Sequence, residues 1–189
     1  SNMQYDFIEY SAQNYVKARQ QRSALYLKEQ KFWIVTDFEE PVDKEEVIVY
    51  EQLWHMLPEA NMTLDPKTYE ARSNMEGTAN VIVTPVDIYD ATASMEHSRY
   101  VTGNDVYEDS KKADIRKEGK GDKKYTTIIY PVDINNDYSI DVNSLDLDGD
   151  KENINAFAAK ITNELTGDYD NYYFCHHNMP QDRQPVILG

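Results

Sequence analysis

Asp43-Lys-Glu-Glu-Val-Ile-Val-Tyr-Glu-Gln-Leu-Trp-His-Met-Leu57 is the stretch on which the fold assignment turns. Val47, Tyr50, Trp54 and Leu57 recur at i, i+3, i+7 and i+10, which places them on one face of a helix. Asp43 and Glu46 form an Asp-x-x-Glu start close to a capping box, and Pro58 stops the segment. The spacing therefore predicts a helix over 43–57. A second helix is expected over 151–165, where Ile154, Phe157, Ala158, Ile161 and Leu165 line one face and Gly167 can close it. Residues 11–29 read as helix with Ser11 as cap, although the apolar stripe breaks between Ala18 and Ala24. The alternative there is a hairpin pairing Ala24–Leu27 with Phe32–Val35 across Lys28, Glu29 and Gln30.

Three other stretches are β-prone: 31–36, 78–84 and 125–130. The last two carry an internal echo, since Val81 to Ile88 and Ile128 to Ile134 both run from β-branched residues into Pro-Val-Asp-Ile. One echo is too few for a repeat protein, and two paired strands with similar edges explain it. The expected fold is a single α+β domain over 3–189, an antiparallel or mixed sheet with two principal helices packed on it. Residues 103–124, polar and lysine-rich, read as a mobile loop. Ser1 and Asn2 resemble an expression scar ahead of Met3.

The 189 residues carry 34 Asp plus Glu against 19 Lys plus Arg, a formal net charge of −15. Such an excess repels polyanions and attracts basic surfaces. It argues against direct contact with nucleic acid or anionic lipid, where each phosphate calls for a Lys or Arg. No apolar run approaches the roughly 20 residues that span a bilayer. A single cysteine, Cys175, excludes an internal disulfide. These features together suggest a cytoplasmic protein. Fifteen Tyr, five Phe and two Trp supply large side chains for a core and for wet interfaces.

The acids cluster. Residues 37–51 hold Asp37, Glu39, Glu40, Asp43, Glu45, Glu46 and Glu51 against Lys44 alone. Residues 133–152 hold Asp133, Asp137, Asp141, Asp146, Asp148, Asp150 and Glu152 against Lys151. Residues 111–124 reverse the sign, with seven Lys or Arg to three acids. This bipolar pattern suggests a non-enzymatic acidic protein that neutralises a basic protein, as an immunity protein does a nuclease toxin, or as a phage-type nucleic-acid mimic does. Asp37, Glu39, Glu40, Glu45, Glu51, Asp137 and Asp141 are the candidate partner-binding residues.

A different class rests on Asp141 to Asp150. Asp146, Asp148 and Asp150 occupy positions 1, 3 and 5 of a calcium loop, the alternating oxygens that Ca²⁺ or Mg²⁺ needs. Lys151, Asn153 and Phe157 break the rest of that pattern, so a metal-dependent enzyme or calcium module is the alternative and no cofactor is the leading expectation. A third class is a structural subunit of an assembly such as a virion. Cys175-His176-His177 lacks zinc spacing. The lysines around Gly119 and Gly121 lack a phosphate-loop pattern. His55 is expected on the 43–57 helix, partly buried beside Trp54.

Overall fold

The computed structural model describes residues 4–12, 17–86, 88–134, 140–145, 156–163 and 167–175. Its strands are β1 (Tyr5–Ala12), β2 (Ala18–Leu27), β3 (Phe32–Pro41), β4 (Ile48–His55), β5 (Thr63–Leu64), β6 (Ala71–Arg72), β7 (Asn80–Pro85), β8 (Ala91–Gly103), β9 (Val106–Gly119), β10 (Lys123–Val132), β11 (Ile140–Ser144), β12 (Ala156–Asn163) and β13 (Tyr169–Cys175). One 3-10 turn, Pro58–Ala60, is the helical element among the described residues. All pairings are antiparallel.

The α+β expectation is therefore overturned. The 43–57 helix gives way to a turn followed by β4, and the 151–165 helix to β12, as far as that stretch is described. Asp43 still caps, but it caps a turn: the Glu45 amide donates to its Oδ1 at 2.9 Å. Over 11–29 the hairpin alternative holds, with Ala24 opposite Val35 and Leu27 opposite Phe32. The lysine-rich 103–124 segment is mostly β9, the middle strand of a sheet.

The strands form a central sheet in the order β1-β2-β3-β10-β7-β6-β5 and two three-stranded sheets, β4-β9-β8 and β11-β12-β13. The stretches 31–36, 125–130 and 78–84 supply β3, β10 and β7, which lie side by side, and the two echo strands pair with Pro131 opposite Val81. Strand alternation sends successive side chains to opposite faces. Leu25, Leu27, Phe32, Ile34, Ile82 and Ile128 pack against Ile140, Ala159 and Ile161 of the β11-β12-β13 sheet. Each fully buried aliphatic chain contributes about 1.5–3 kcal/mol there.

The other face of the central sheet meets the β4-β9-β8 sheet through smaller clusters. Tyr125 packs with Tyr50 and Ile115, and Val83 with Met56, Met62 and Ala113. The layers are also tied by hydrogen bonds. The Tyr125 hydroxyl donates to the Tyr50 carbonyl at 2.6 Å and accepts from the Lys117 amide at 3.1 Å. Sheet β4-β9-β8 has three strands against seven, so it covers part of that face. Ile8 and Tyr10 of β1 and Trp33 of β3 remain exposed beside it.

Candidate functional site: a cleft at the edge of strand β4

The acidic tract at 37–51 does not form a free acidic face. Asp37 is buried between the layers, where Arg22 donates through Nε at 2.5 Å and Nη2 at 2.7 Å and Gln52 donates at 2.9 Å. Gln52 in turn accepts from Thr127 at 2.7 Å. Glu40 lies within 3.5 Å of Lys44 and 4.0 Å of Arg19. Lys120 donates to Glu45 at 3.0 Å, Lys44 to Asp122 at 2.5 Å, and Lys17 to Glu46. The basic segment at 111–124 thus neutralises part of the acidic one. Glu51 is exposed on the outer face of β4, and Asp141 on β11 accepts from Asn143 at 2.6 Å. Asp137, Asp146, Asp148, Asp150, His176 and His177 lie outside the described residues. Among the described residues no group of three His, Cys, Asp or Glu side chains is placed to hold a metal ion.

Glu39 is the acid in an unusual environment. It sits on β3 opposite Gln20 and Lys123, nearly buried, and accepts from the Gln20 amide at 2.8 Å. Burial first, and then the Asp37 charge, push its carboxyl up to about 7, against weaker pulls from Gln20 and Arg22. Tyr50 lies across from it on β4. Its hydroxyl is buried without a hydrogen-bond partner among the described residues, and burial followed by Glu39, Asp122 and Glu46 raises it to about 12.

These groups line a cleft of about 450 Å³ between the central sheet and β4, with Lys17, Gln20, Glu39, Tyr50, Glu51 and Leu53 at its walls. β4 is the edge of its sheet. Gln20 can donate and accept, and Glu39 can do either within a unit of neutral pH. Apolar walls with a few convergent polar groups, one of them perturbed in acidity, are the features of a candidate ligand site.

A smaller cleft of about 320 Å³ lies under the β8–β9 hairpin and includes Met62, Met95, His97, Asp109 and Lys111. His97 Nε2 stands 3.1 Å from Asp109, and Ser98 Oγ stands 2.9 Å from His55 Nδ1. Residues 97 and 98 point to opposite faces of the strand, so the His97–Asp109 pair does not orient the Ser98–His55 pair. His55 is exposed on a strand, a correction to its expected place on a helix.

Sequence reasoning missed Gln20, Arg22 and Gln52. The signal for the first two was present: Ala18, Gln20, Arg22, Ala24 and Tyr26 alternate with Ser23, Leu25 and Leu27, period two inside a stretch read as period 3.6.

No protein-family model matches the sequence, and no curated protein matches it. Solved structures do. The heparan sulfate lyase HepC from Pedobacter heparinus superposes with a TM-score of 0.76 at 15% identity, over 95% of this chain and 28% of that one. A mutant of the same lyase gives 0.77 at 14% identity, over 95% and 27%. A heparinase III structure gives 0.70 at 16% identity, over 90% and 26%. The likeness establishes the fold, and the chain spans just over a quarter of the length of these neighbours. Among the described residues no helix is long and apolar enough to cross a membrane.

Proposed function

We propose that this chain is the β-sheet portion of a polysaccharide-degrading protein, and that its own part is to bind glycan rather than to cleave it. The observation that supports this most is the superposition of 95% of this chain on just over a quarter of heparan sulfate lyases. A binding role fits the cleft at β4, whose walls bring the hydrogen-bonding groups of Gln20 and Glu39 together. The charge of −15 sets this chain apart from a heparan sulfate binder, because a polyanion meets repulsion rather than a basic cleft. Its glycan is neutral.

The test is affinity electrophoresis of the chain in gels containing hyaluronan, cellulose derivatives or heparan sulfate, with the ultraviolet absorbance of unsaturated uronate products followed in parallel. Retention by a neutral cellulose derivative, with no new absorbance from hyaluronan or heparan sulfate, is expected. Migration unchanged in every gel refutes glycan binding, and new absorbance refutes the non-catalytic assignment.

A second reading, capture of a basic protein, draws on the same net charge. The internal pairing of Asp37, Glu40 and Glu45 works against it. Retention of a basic protein in a pull-down, weakening as salt rises, would favour it.

A further inference from the structure

Tyr50 is a wall of the β4 cleft, and its hydroxyl has no hydrogen-bond partner among the described residues. The residue is 6% exposed. It lies in one apolar cluster with Ala18, Ile115 and Tyr125, and its main-chain carbonyl accepts from the Tyr125 hydroxyl at 2.6 Å. The side chain is thus held in place while its polar tip stays unsatisfied. A phenol taken out of water and given no partner lowers stability, and protein interiors seldom keep one. The charges of Glu39, Asp122 and Glu46 act on this hydroxyl. Glu39 and Gln20 are walls of the same cleft, joined to each other by the Gln20 amide at 2.8 Å.

We propose that the Tyr50 hydroxyl is a ligand-binding group that takes a hydroxyl of a neutral sugar ring seated in the β4 cleft, with Gln20 and Glu39 holding a neighbouring hydroxyl. The proposal rests on the glycan reading above and assigns its recognition to three side chains. A phenol donates and accepts, as a sugar hydroxyl does, so each can satisfy the other. Gln20 has a second amide hydrogen and a carbonyl oxygen beyond its bond to Glu39. Ile48, Val49 and Leu53 supply apolar wall for the C–H groups of a ring. The volume of about 450 Å³ falls in the usual range of about 300–1,000 Å³ for small-ligand sites. Charge favours a neutral occupant. A ligand carboxylate would meet Glu51 at the cleft wall, and burial holds Glu39 uncharged up to about pH 7, so a cation finds little to pair with there.

Three neutral probes, cellohexaose, xylohexaose and mannohexaose, are titrated into the full chain by calorimetry, and at least one should bind. Tyr50→Phe is expected to weaken that probe about fivefold, as loss of one net hydrogen bond does. The same variant should melt at or above the wild-type temperature, because the phenyl ring keeps the packing and removes the unsatisfied oxygen. A hydroxyl that serves only the fold would do the reverse, with a lower Tm and an unchanged affinity, and that result overturns the proposal. Gln20→Leu, at a half-buried position, should weaken the same probe severalfold and keeps the test decisive if Tyr50→Phe reshapes the cleft. Tyr107→Phe, at the exposed tip of the β8–β9 hairpin, should leave affinity unchanged. Binding that survives both cleft substitutions unaltered overturns the site and leaves the glycan reading standing. Failure of the wild-type chain to bind any of the three probes removes both.

Discussion

Replacing Arg22 by Gln tests whether the buried Asp37 carboxylate holds the two layers together. Asp37 is 1% exposed and receives two bonds from Arg22 and one from Gln52. Removing the cation leaves a buried carboxylate with a single neutral donor. Breaking a fully buried ion pair from one side costs about 3–5 kcal/mol. The Arg22 side chain is 49% exposed, so water partly replaces it and the expected loss is nearer 2 kcal/mol. For a chain of this length that corresponds to a fall of about 4–8 °C in Tm. Thermal and urea melts at neutral pH measure it. The double variant Arg22→Gln/Asp37→Asn should recover part of the loss, because it removes the uncompensated charge, and the resulting cycle gives the coupling directly. A single variant melting within about 1 °C of the wild type, or a double variant no better than the single, would refute the argument.

Glu39→Gln should stabilise the protein in a pH-dependent way. The carboxyl rises from its ordinary 4.5 to about 7 in the folded state, so its contribution is fully present below 4.5 and is lost as pH climbs through 7. The variant should gain on the wild type by up to roughly 3 kcal/mol above pH 7, and melts at pH 4 and pH 8 that differ equally for both proteins would contradict this. Lys117→Met removes a buried ammonium 2.7 Å from Asp90 and near the rings of Tyr89 and Tyr125, leaving Asp90 with Lys123 at 3.0 Å. Burial would raise Asp90, yet the two lysines hold it below its ordinary 3.8. Its stabilising contribution is therefore present above 3.8 and fades as pH falls through the lowered value. The gap between wild type and Lys117→Met should narrow in acid, and a gap that widens there would sink the assignment. Ile82→Ala, at a fully buried position, should cost about 2–5 kcal/mol, while Ile8→Ala, at an exposed one, should cost close to nothing in a urea melt.

The strands that sequence reading located are those with apolar β-branched runs: 31–36, 78–84 and 125–130 become neighbours in the central sheet. Strands β4 and β9, read as helix and loop, each hide a polar residue at an inward position. In β4 the buried alternation is Tyr50, Gln52, Trp54, and the outward residues include Val49 and Leu53. A hydropathy pattern sees Gln52 as surface and Leu53 as core, so period two is masked and the accidental spacing of Val47, Tyr50, Trp54 and Leu57 takes its place. In β9 the inward positions are Ala113, Ile115 and Lys117, and a buried lysine makes a central strand read as a solvated loop. The β2–β3 turn places Lys31 at a positive φ of 61° without a glycine or asparagine to announce it.

Strand pairing also decides where part of the charge goes. Counted along the chain, Asp37 to Glu51 form a block of acid that should repel itself and seek a basic partner. Folded, β2 lays Arg19 and Arg22 against Glu40 and Asp37, while the turn after β9 brings Lys120 to Glu45 and Asp122 to Lys44. Cross-strand neighbours, distant in sequence, do the neutralising, and no local window can register that. The cleft at β4 presents a phenol, an amide and an acid that burial holds uncharged up to about pH 7. A neutral glycan would be held there through its hydroxyls, so affinity should change little with salt, whereas capture of a basic protein through free carboxylates would weaken steeply as salt rises. Titration of the retained oligosaccharide at low and high ionic strength therefore separates the two kinds of recognition on the wild-type chain alone.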